Sequence, residues 1–478
     1  MVYREGEREK TVTGVETLRE AGDEEAKRAW SEPKEGDRGS HARKLVQQRT
    51  AIPRRPRFLP AACGDGKTLG SRPVSSSSKD WPLLWDTGYA EVINAQKSIS
   101  NEDQAMCCHI NIMKAESCAR AEGASGIKPE KCVTSCYWAL FDGHGGPVAA
   151  TLASQYLHFC IKEKLEEIQE GISGPYPPMH LTGLCIYNTD PQFVKEKGIC
   201  QEHVVIGALE AAFQECDEMI GQELATTNQS DGCTALVAFY LQGKLYIANA
   251  GDSRALLIQK QSLLQLSSEF TPEVERKRIQ HLAFVYPKLL AHEFTRFEFP
   301  RRLKREELGQ KVLYRDYYME GWGYKIIDEA DLRYPLIHGQ GRRTRLLGTL
   351  AVSRGLGDHH LKVFDSDIMV KPFLSCIPEV KVLDFTKFEF LEDDVLIMAT
   401  DGLWDVMCNE EVAQITRTFL DDNTVNPSRF SELAAHLVHL ARGSLNEHQW
   451  ILDNNSPASY DDISVFAIPL SRQRGHDN

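Results

Sequence analysis

The pattern of hydrophobic and polar positions in this chain is clearest at residues 137–147. The first five of these residues are apolar and mostly aromatic, which predicts a buried β-strand. Asp142 follows at once, and His144 then lies among glycines that can adopt positive φ, before a proline that can begin a helix. A carboxylate, an imidazole and an open carbonyl are thus presented at the end of one strand, which suits metal and phosphate chemistry. A plain tight turn is the alternative.

Apolar residues elsewhere follow one of two periods, which separate predicted helices from predicted strands. Helices are predicted at residues 147–169, 204–225, 410–420 and 429–442. Further strands are predicted at residues 88–93, 234–240, 245–249, 256–258, 395–400 and 463–468. The strands on either side of Gln242-Gly243 have the turn chemistry of a β-hairpin.

Three stretches lack such a pattern and set the predicted domain boundaries. Residues 1–80 are dense in charge and poor in branched apolar residues, which predicts a disordered extension. Residues 170–203 are proline-rich and predict an irregular insertion. Residues 262–345 are basic, aromatic and too long for a connecting loop, which predicts an inserted lobe. The main domain is therefore predicted at residues 81–470, followed by a tail at 471–478.

Carboxylates recur at the borders of the predicted strands. One aspartate at a strand end is usually a turn former that satisfies its own backbone, but five such residues with two acidic neighbours are harder to explain in that way. If the strands lie in two packed antiparallel sheets, these carboxylates converge and could not all stay ionised without a cation. Oxygen ligands without a matched Cys or His set select a hard divalent ion, Mg²⁺ or Mn²⁺. The residues are Asp103, Asp142, Asp252, Asp401 and Asp461, with Glu102 and Asp405 as neighbours.

Composition narrows the class of protein. The hydrophobic content of 42% and charged content of 26% are ordinary for a soluble globular protein. The formal net charge of −13 argues against a general nucleic-acid binder. The chain has thirteen cysteines but no CxxC pair, which argues against a zinc ribbon. The odd, scattered set of cysteines favours a reducing compartment. Because neither a signal core nor a bilayer-length apolar run is found, we expect a cytoplasmic or nuclear protein without a membrane span.

Seven segments, in this order, resemble the metal-dependent serine/threonine protein phosphatases, the type-2C or PPM family. They span about residues 88–469. One segment alone is weak support, whereas seven in the family's order are specific. Residues 88–95 and 335–342 are also similar to the branch of the family lettered H, J and M. The segments are Asn101-Glu102-Asp103 and residues 141–146, 232–235, 249–254, 350–358, 399–407 and 461–465.

The resemblance implies an α+β fold with a central antiparallel β-sandwich, flanking helices and an inserted flap-like lobe. It also implies two Mg²⁺ or Mn²⁺ ions at one end of the sandwich, with a weaker third site. By motif, Asp142 would bridge the two ions and the carbonyl of Gly143 would bind the second. Asp401 and Asp461 would complete the shell of the first ion, and Asp401 would also face the third site.

The other motif positions receive roles in the same way. Glu102 and Asp103 would hold metal-bound waters, and Asp252 and Asp405 would contribute to the third site. His144 would act as general acid to the leaving alkoxide, while hydroxide produced by the two metals attacks phosphorus in line. Two alternatives stay open: His144 forms a hydrogen bond within its turn, and Asp405 caps a helix.

Two positions depart from the family pattern. Four residues before the glutamate of its first motif, the family has an arginine that grips the substrate phosphate, and this chain has Ser98 there. Lys97 is adjacent, but a shift of one residue along a strand points a side chain to the other face. The phosphate would then be held by the metals alone, by Lys97 after a local bulge, or by another basic residue. Asp462 replaces the usual asparagine of the last motif and adds a negative charge near the site.

These features together predict an enzyme that hydrolyses phosphoserine and phosphothreonine in protein substrates. A pseudophosphatase that binds phosphoproteins without turnover is the alternative, because the phosphate-binding arginine is missing. A two-metal nuclease or phosphodiesterase conflicts with the acidic charge and the motif order. We also expect the lobe at residues 262–345 to lie beside the active site and select substrates, since binding surfaces commonly lie on insertions. No oligomeric state is predicted.

Overall fold

The computed structural model describes residues 56, 58–59, 72–77, 82–113, 132–168, 199–447 and 449–471. Most of the predicted extension at 1–80, most of the predicted insertion at 170–203 and nearly all of the tail at 471–478 lie outside these residues. The boundaries that fall there stay predictions.

The strands are numbered in chain order. The first ten are β1 (Ser75–Ser76), β2 (Gly88–Val92), β3 (Gln104–Ile112), β4 (Val133–Phe141), β5 (Gly143–His144), β6 (Gly232–Cys233), β7 (Ala235–Leu241), β8 (Lys244–Ala250), β9 (Arg254–Ile258) and β10 (Leu263–Gln265). They are followed by β11 (Phe294–Thr295), β12 (Lys311–Tyr314), β13 (Gly323–Ile326), β14 (Tyr334–Pro335), β15 (Ile337–His338), β16 (Arg345–Leu346), β17 (Leu356–Gly357), β18 (Glu379–Asp384), β19 (Val395–Ala399), β20 (Ser444–Asn446), β21 (Gln449–Ile451) and β22 (Ile463–Pro469).

Among the described residues, the helices confirm the four predicted from sequence to within a few residues and add two shorter ones. The α-helices are α1 (Val148–Glu167), α2 (Gln201–Thr227), α3 (Arg276–Val285), α4 (Asp401–Trp404), α5 (Asn409–Asp422) and α6 (Arg429–Arg442). Asn228 ends α2 in the left-handed conformation that asparagine tolerates. Within the described part of the chain, no helix is long and apolar enough to cross a membrane.

Two antiparallel sheets form the centre of the fold. Their strand orders are β1-β2-β22-β19-β9-β10 and β18-β8-β7-β4-β3. An apolar layer between the sheets includes Tyr89, Trp138, Met398 and Phe466. Helices α1 and α2 cover the outer face of one sheet, and α5 and α6 cover the other. The arrangement confirms the predicted α+β sandwich flanked by helices.

Strand β4 shows why its sequence is continuously apolar. Trp138 and Leu140 face the layer between the sheets, whereas Tyr137 and Phe141 face the helices on the other side. A strand covered on both faces has no solvent-exposed side, so polar residues do not alternate along it. This stiff, buried strand leads directly into Asp142.

Some of the described residues before the predicted boundary near residue 81 pack on the sandwich. Strand β1 pairs with β2, with Ser75 opposite Glu91 and Ser76 opposite Ala90. The ring of Phe58 lies 5.1 Å from that of Tyr89. Ser75 and Ser76 therefore belong to the sheet, where they cover the edge of β2. Backbone hydrogen bonds make this pairing, so the polar side chains of the segment do not reveal it.

The lobe has a small apolar cluster of its own. It is built from α3 and short pairings such as β15 with β16. Ile279, Leu336 and Phe373 are among the buried members of this cluster. The cluster reaches Leu374, which lies beyond the predicted end of the insertion at residue 345.

Candidate metal centre and active site

Three carboxylates meet at one end of the sandwich. One oxygen from each of Asp142, Asp252 and Asp401 lies within 4.8 Å of the others. Asp142 follows β4 and Asp252 follows β8, and both strands pair antiparallel with β7, so they end at the same edge of the sheet. Asp401 begins α4 directly after β19 of the opposite sheet. The fold therefore brings three of the predicted metal ligands together.

The surroundings of these carboxylates disfavour negative charge. Burial and the neighbouring Asp401 raise the pKa of Asp142 well above its usual range. Burial and Asp252 do the same to the pKa of Asp401. Burial, with Glu269 and Asp405 nearby, raises the pKa of Asp252 to about 6. A divalent cation would relieve this repulsion, so the residues fit a hard-ion site.

Glu102 and Asp103 lie directly before β3 and pack behind this cluster. Oδ2 of Asp103 accepts a hydrogen bond of 2.9 Å from Oγ1 of Thr400. Oδ1 of Asp103 is buried and makes no hydrogen bond within the described residues. A buried, unpartnered carboxylate oxygen suits a cation or a water ligand. The carbonyl of Glu102 lies so close to Gly143 that a Cβ there would overlap it, which explains the glycine.

Asp461 lies beside the cluster and is paired with Lys97. Nζ of Lys97 lies 2.7 and 2.6 Å from the two carboxylate oxygens of Asp461. Burial opposes the charged form of this lysine, but Asp461, together with Asp142 and Asp401, outweighs burial and raises the pKa of Lys97. Lys97 therefore faces the carboxylate cluster.

A local bend sets the orientation of Lys97. Gln96 has a φ of 67°, in the left-handed region, and residues 95–100 form bends instead of a strand. Ser98 turns back into this bend, where its Oγ donates a hydrogen bond of 2.5 Å to the carbonyl of Ser100. A local distortion of the backbone thus places Lys97 at the cleft. This geometry agrees with the second of the three alternatives for holding the substrate phosphate, Lys97 after a bulge.

His144 forms a pair that the sequence did not predict. Its Nε2 lies 2.9 Å from Oδ2 of Asp358, whose side chain is fully buried. The small sheet of β5, β6 and β17 brings them together, because His144 and Gly357 both pair with Gly232. A Cβ at Gly232 would overlap both groups. Burial lowers the pKa of His144, but Asp358 outweighs it and raises that pKa. The hydrogen-bond partner of His144 is therefore Asp358, which lies outside the turn that carries His144.

Asp405 lies at the C-terminal end of α4 and contacts the lobe. Nη1 of Arg342 lies 3.1 Å from Oδ1 of Asp405 and donates a hydrogen bond of 2.6 Å to its carbonyl. Nη2 of Arg342 donates to the carbonyl of Trp404 at 3.0 Å. The N–H of Asp405 closes α4 through the carbonyl of Asp401. Asp405 is thus both a helix-end residue and an available carboxylate, and its metal role stays a prediction.

Comparison with known proteins decides the family. A family model described as protein phosphatase 2C matches residues 179–291 and 336–449. Protein phosphatase 1M of Homo sapiens is 57% identical over 426 residues, which cover 88% of this chain and 92% of that protein. The chain belongs to the protein phosphatase 2C family. This confirms the predicted enzyme class, a serine/threonine protein phosphatase of a metal-dependent family.

Two further relatives support the predicted branch. Protein phosphatase 1H of Xenopus tropicalis is 45% identical over 446 residues, covering 84% of this chain and 88% of that protein. Protein phosphatase 1J of Mus musculus is 46% identical over 408 residues, covering 81% of this chain and 79% of that protein. The H, J and M branch predicted from residues 88–95 and 335–342 is confirmed, and the higher identity to the 1M relative agrees with the M member of that branch. The phosphatase 2C model leaves residues 292–335 unmatched, inside the predicted insertion.

Arg72 supports the metal centre of this phosphatase 2C chain, and sequence analysis missed it. Its guanidinium is buried and donates hydrogen bonds of 2.6, 2.6 and 2.7 Å to the carbonyls of Ile93, Ser459 and Asp461. The bond to Asp461 fixes the backbone of a predicted metal ligand. A lone arginine in a polar, serine-rich stretch carries no sequence signal for this role.

Asp462, the departure in the last motif, has a structural role. It is buried, and its Oδ1 accepts a hydrogen bond of 2.8 Å from the N–H of Asn94. Its Oδ2 accepts one of 3.1 Å from the N–H of Glu102. The extra carboxylate therefore ties together the segments that carry Lys97 and Glu102.

The centre opens into a cleft of about 450 Å³. Its walls include Lys97, Asp142, His144, Asp461 and the lobe residue Arg342. Carboxylates, an imidazole and basic side chains thus border one space, an arrangement that suits phosphoryl transfer to water.

Proposed function

We propose that this chain hydrolyses phosphoserine and phosphothreonine in protein substrates with two Mg²⁺ or Mn²⁺ ions, and that a weaker third ion binds nearby. The observation that carries the proposal is the meeting of Asp142, Asp252 and Asp401, with oxygens within 4.8 Å and raised pKa values. Half-buried carboxylates packed this closely repel one another unless cations neutralise them.

The proposed ligands combine the clustered residues with those predicted by motif. Asp142, the carbonyl of Gly143, Asp401 and Asp461 would hold the two ions, and Asp252 and Asp405 would hold the third. Glu102 and Asp103 would orient ligand waters, which agrees with the buried, unpartnered Oδ1 of Asp103. When bound, such ions lower the pKa of water and neutralise charge on the phosphoryl oxygens.

His144 has the proposed role of general acid. A serine alkoxide is a poor leaving group, so proton donation to its oxygen speeds cleavage of the P–O bond. The contact of 2.9 Å to Asp358 engages Nε2 and favours the protonated imidazole. Nδ1 is then the nitrogen left to donate the proton, and Asp358 is a positioning residue.

Lys97 has the proposed role of phosphate contact. Its Nζ lies at the cleft between Asp461 and the carboxylate cluster. An ammonium attracts phosphate as a point charge but lacks the two-pronged grip of arginine. Three arginines also line the cleft, and each is already engaged. Arg342 contacts Asp405 and the carbonyl of Trp404. Arg254 pairs with Glu269, and Arg345 donates to the carbonyl of Thr344.

The lobe has the proposed role of substrate selection. Arg342 joins it to α4 at the rim of the catalytic cleft, so a protein bound on the lobe would lie beside the scissile phosphate. No specific observation favours the pseudophosphatase or nuclease alternatives. A cytoplasmic or nuclear location stays a proposal from composition.

The proposal is tested by Mn²⁺-dependent release of phosphate from a phosphoserine peptide. Wild type is compared with Asp142→Ala, with and without a chelator. We expect turnover that needs the metal and is lost in the variant. Equal rates for wild type and Asp142→Ala, or rates insensitive to the chelator, would contradict the proposal.

A further inference from the structure

A second cleft, of about 820 Å³, lies within the lobe and is rich in arginine. Six arginines and three carboxylates line it among the described residues. Glu298 pairs with Arg315 at 2.8 Å and also lies near Arg276, and Glu307 pairs with Arg301. Three lining arginines form no ion pair among the described residues: Arg302, Arg333 and Arg343. We refer to this space as the arginine cleft.

One of the three unpaired arginines, Arg302, is held in place without being neutralised, and the backbone of a second, Arg343, is constrained. The guanidinium of Arg302 stacks over the ring of Tyr334, 4.4 Å from its centre, and donates a hydrogen bond to the carbonyl of Arg333. The carbonyl of Arg343 packs against Gly339, whose φ of 93° suits glycine. Guanidinium groups that line one cleft repel one another, although the chain as a whole has a net charge of −13. A bound anion would relieve that repulsion.

The arginine cleft adjoins the catalytic cleft. Gly341 and Arg342 line the catalytic cleft, Arg343 lines the arginine cleft, and Thr344 lines both. One polypeptide could therefore occupy both spaces. The walls also contain Phe299, which provides apolar surface for an extended chain.

We propose that the arginine cleft binds an acidic segment of the same protein substrate whose phosphorylated residue enters the catalytic cleft. Aspartate and glutamate side chains match the planar, two-pronged guanidinium. Continuity with the catalytic cleft favours a peptide over a lipid headgroup, which would carry no scissile phosphoserine. The inference rests on the proposed phosphatase function and names a substrate class for it.

Binding is tested without catalysis. A fluorescein-labelled peptide rich in glutamate and aspartate, without phosphate, is titrated with wild type and with the double variant Arg333→Gln/Arg343→Gln. We expect roughly tenfold weaker binding by the double variant and weaker binding by wild type as salt rises. Arg305→Gln is the matched control, because Arg305 is an exposed lobe arginine outside the cleft, paired with Glu329 at 3.3 Å.

Turnover then tests the link to the catalytic cleft. The ratio of kcat/KM for an acid-flanked over a neutral-flanked phosphoserine peptide should fall about tenfold in the double variant and stay at the wild-type value in Arg305→Gln. The proposal is overturned if this ratio is unchanged, or if wild type binds vesicles with phosphoinositide but not the acidic peptide. If wild type lacks turnover even of an aryl phosphate while acidic-peptide binding still depends on Arg333 and Arg343, the phosphatase proposal fails and binding by the cleft stands.

Discussion

The three clustered carboxylates of the catalytic cleft and the paired carboxylates of the lobe have opposite surroundings. Among the described residues, no salt bridge joins a basic side chain to Asp142, Asp252 or Asp401, which lie within 4.8 Å of one another. In the lobe, Nη2 of Arg296 lies 3.0 Å from Asp316. Paired carboxylates of the lobe thus stabilise the fold, whereas the three clustered, unpaired carboxylates of the cleft destabilise it until a cation binds.

The largest expected effect is on activity in the catalytic cleft. Asp142→Asn should lower turnover by about 10³-fold, because a charged ligand and electrostatic stabiliser is lost. The same change should raise the free energy of unfolding of the metal-free protein by about 1 kcal/mol, since repulsion with Asp401 is removed. Phosphate release and urea unfolding in a chelator measure the two effects.

The matched lobe variant is Asp316→Asn. Asp316 is buried and accepts hydrogen bonds from Nε of Arg296 at 3.1 Å and from the N–H of Tyr317 at 2.8 Å. We expect the free energy of unfolding to fall by about 2 kcal/mol, because a charge-assisted contact is weakened. If Asp142→Asn and Asp316→Asn both lowered the free energy of unfolding, the difference between unpaired cleft carboxylates and paired lobe carboxylates would be contradicted.

Asp217 shows that the effect of a carboxylate on stability depends on whether it is paired, and not on whether it lies in the lobe or the sandwich. It lies in α2 of the sandwich, is buried, and accepts hydrogen bonds of 2.7 Å from Lys371 and 2.8 Å from the N–H of Gly357. Asp217→Ala should lower the free energy of unfolding by about 3 kcal/mol, because Lys371 is left without its partner. Urea unfolding at pH 7 measures this, with the exposed neighbour Glu218→Ala expected to change it by under about 0.5 kcal/mol.

The pH dependence of the Asp217 effect has a definite sign. Burial opposes ionisation, but Lys371 and His359 outweigh it and hold the pKa of Asp217 below its usual value. A lowered folded-state pKa adds stability above the unfolded pKa of about 3.9, and this stability is lost as pH falls through the folded value. The difference between wild type and Asp217→Ala should be full at neutral pH and shrink below about pH 4. A difference that grows on acidification would contradict it.

Sequence reasoning succeeded where the pattern is local. The apolar run before Asp142 and the apolar period before Asp401 predicted strands, and strand ends at one edge predicted that these carboxylates meet. It missed the contact between His144 and Asp358, because a sheet of two-residue strands depends on glycine geometry far along the chain. The orientation of Lys97 depends on the left-handed φ of Gln96, a residue type that rarely adopts it.

We expect the smallest effect on metal binding from Arg72, a basic residue that lies near the cluster but pairs with no carboxylate among the described residues. This cation binds carbonyls, so it supports the loop of Asp461 without neutralising its carboxylate. Arg72→Ala should lower the free energy of unfolding by about 2 kcal/mol and weaken Mn²⁺ binding several-fold. Ser76→Ala on the adjacent strand is the control. Equal effects of the two changes would contradict a specific role of Arg72 in supporting Asp461.

The central claim is that the unpaired carboxylates of the cleft form a cation site. Calorimetric titration of Mn²⁺ into wild type, Asp401→Asn and Asp316→Asn tests it most directly. The account predicts that Asp401→Asn weakens binding on the order of 100-fold, whereas Asp316→Asn binds as wild type does. Equal Mn²⁺ affinity in wild type and Asp401→Asn would contradict it.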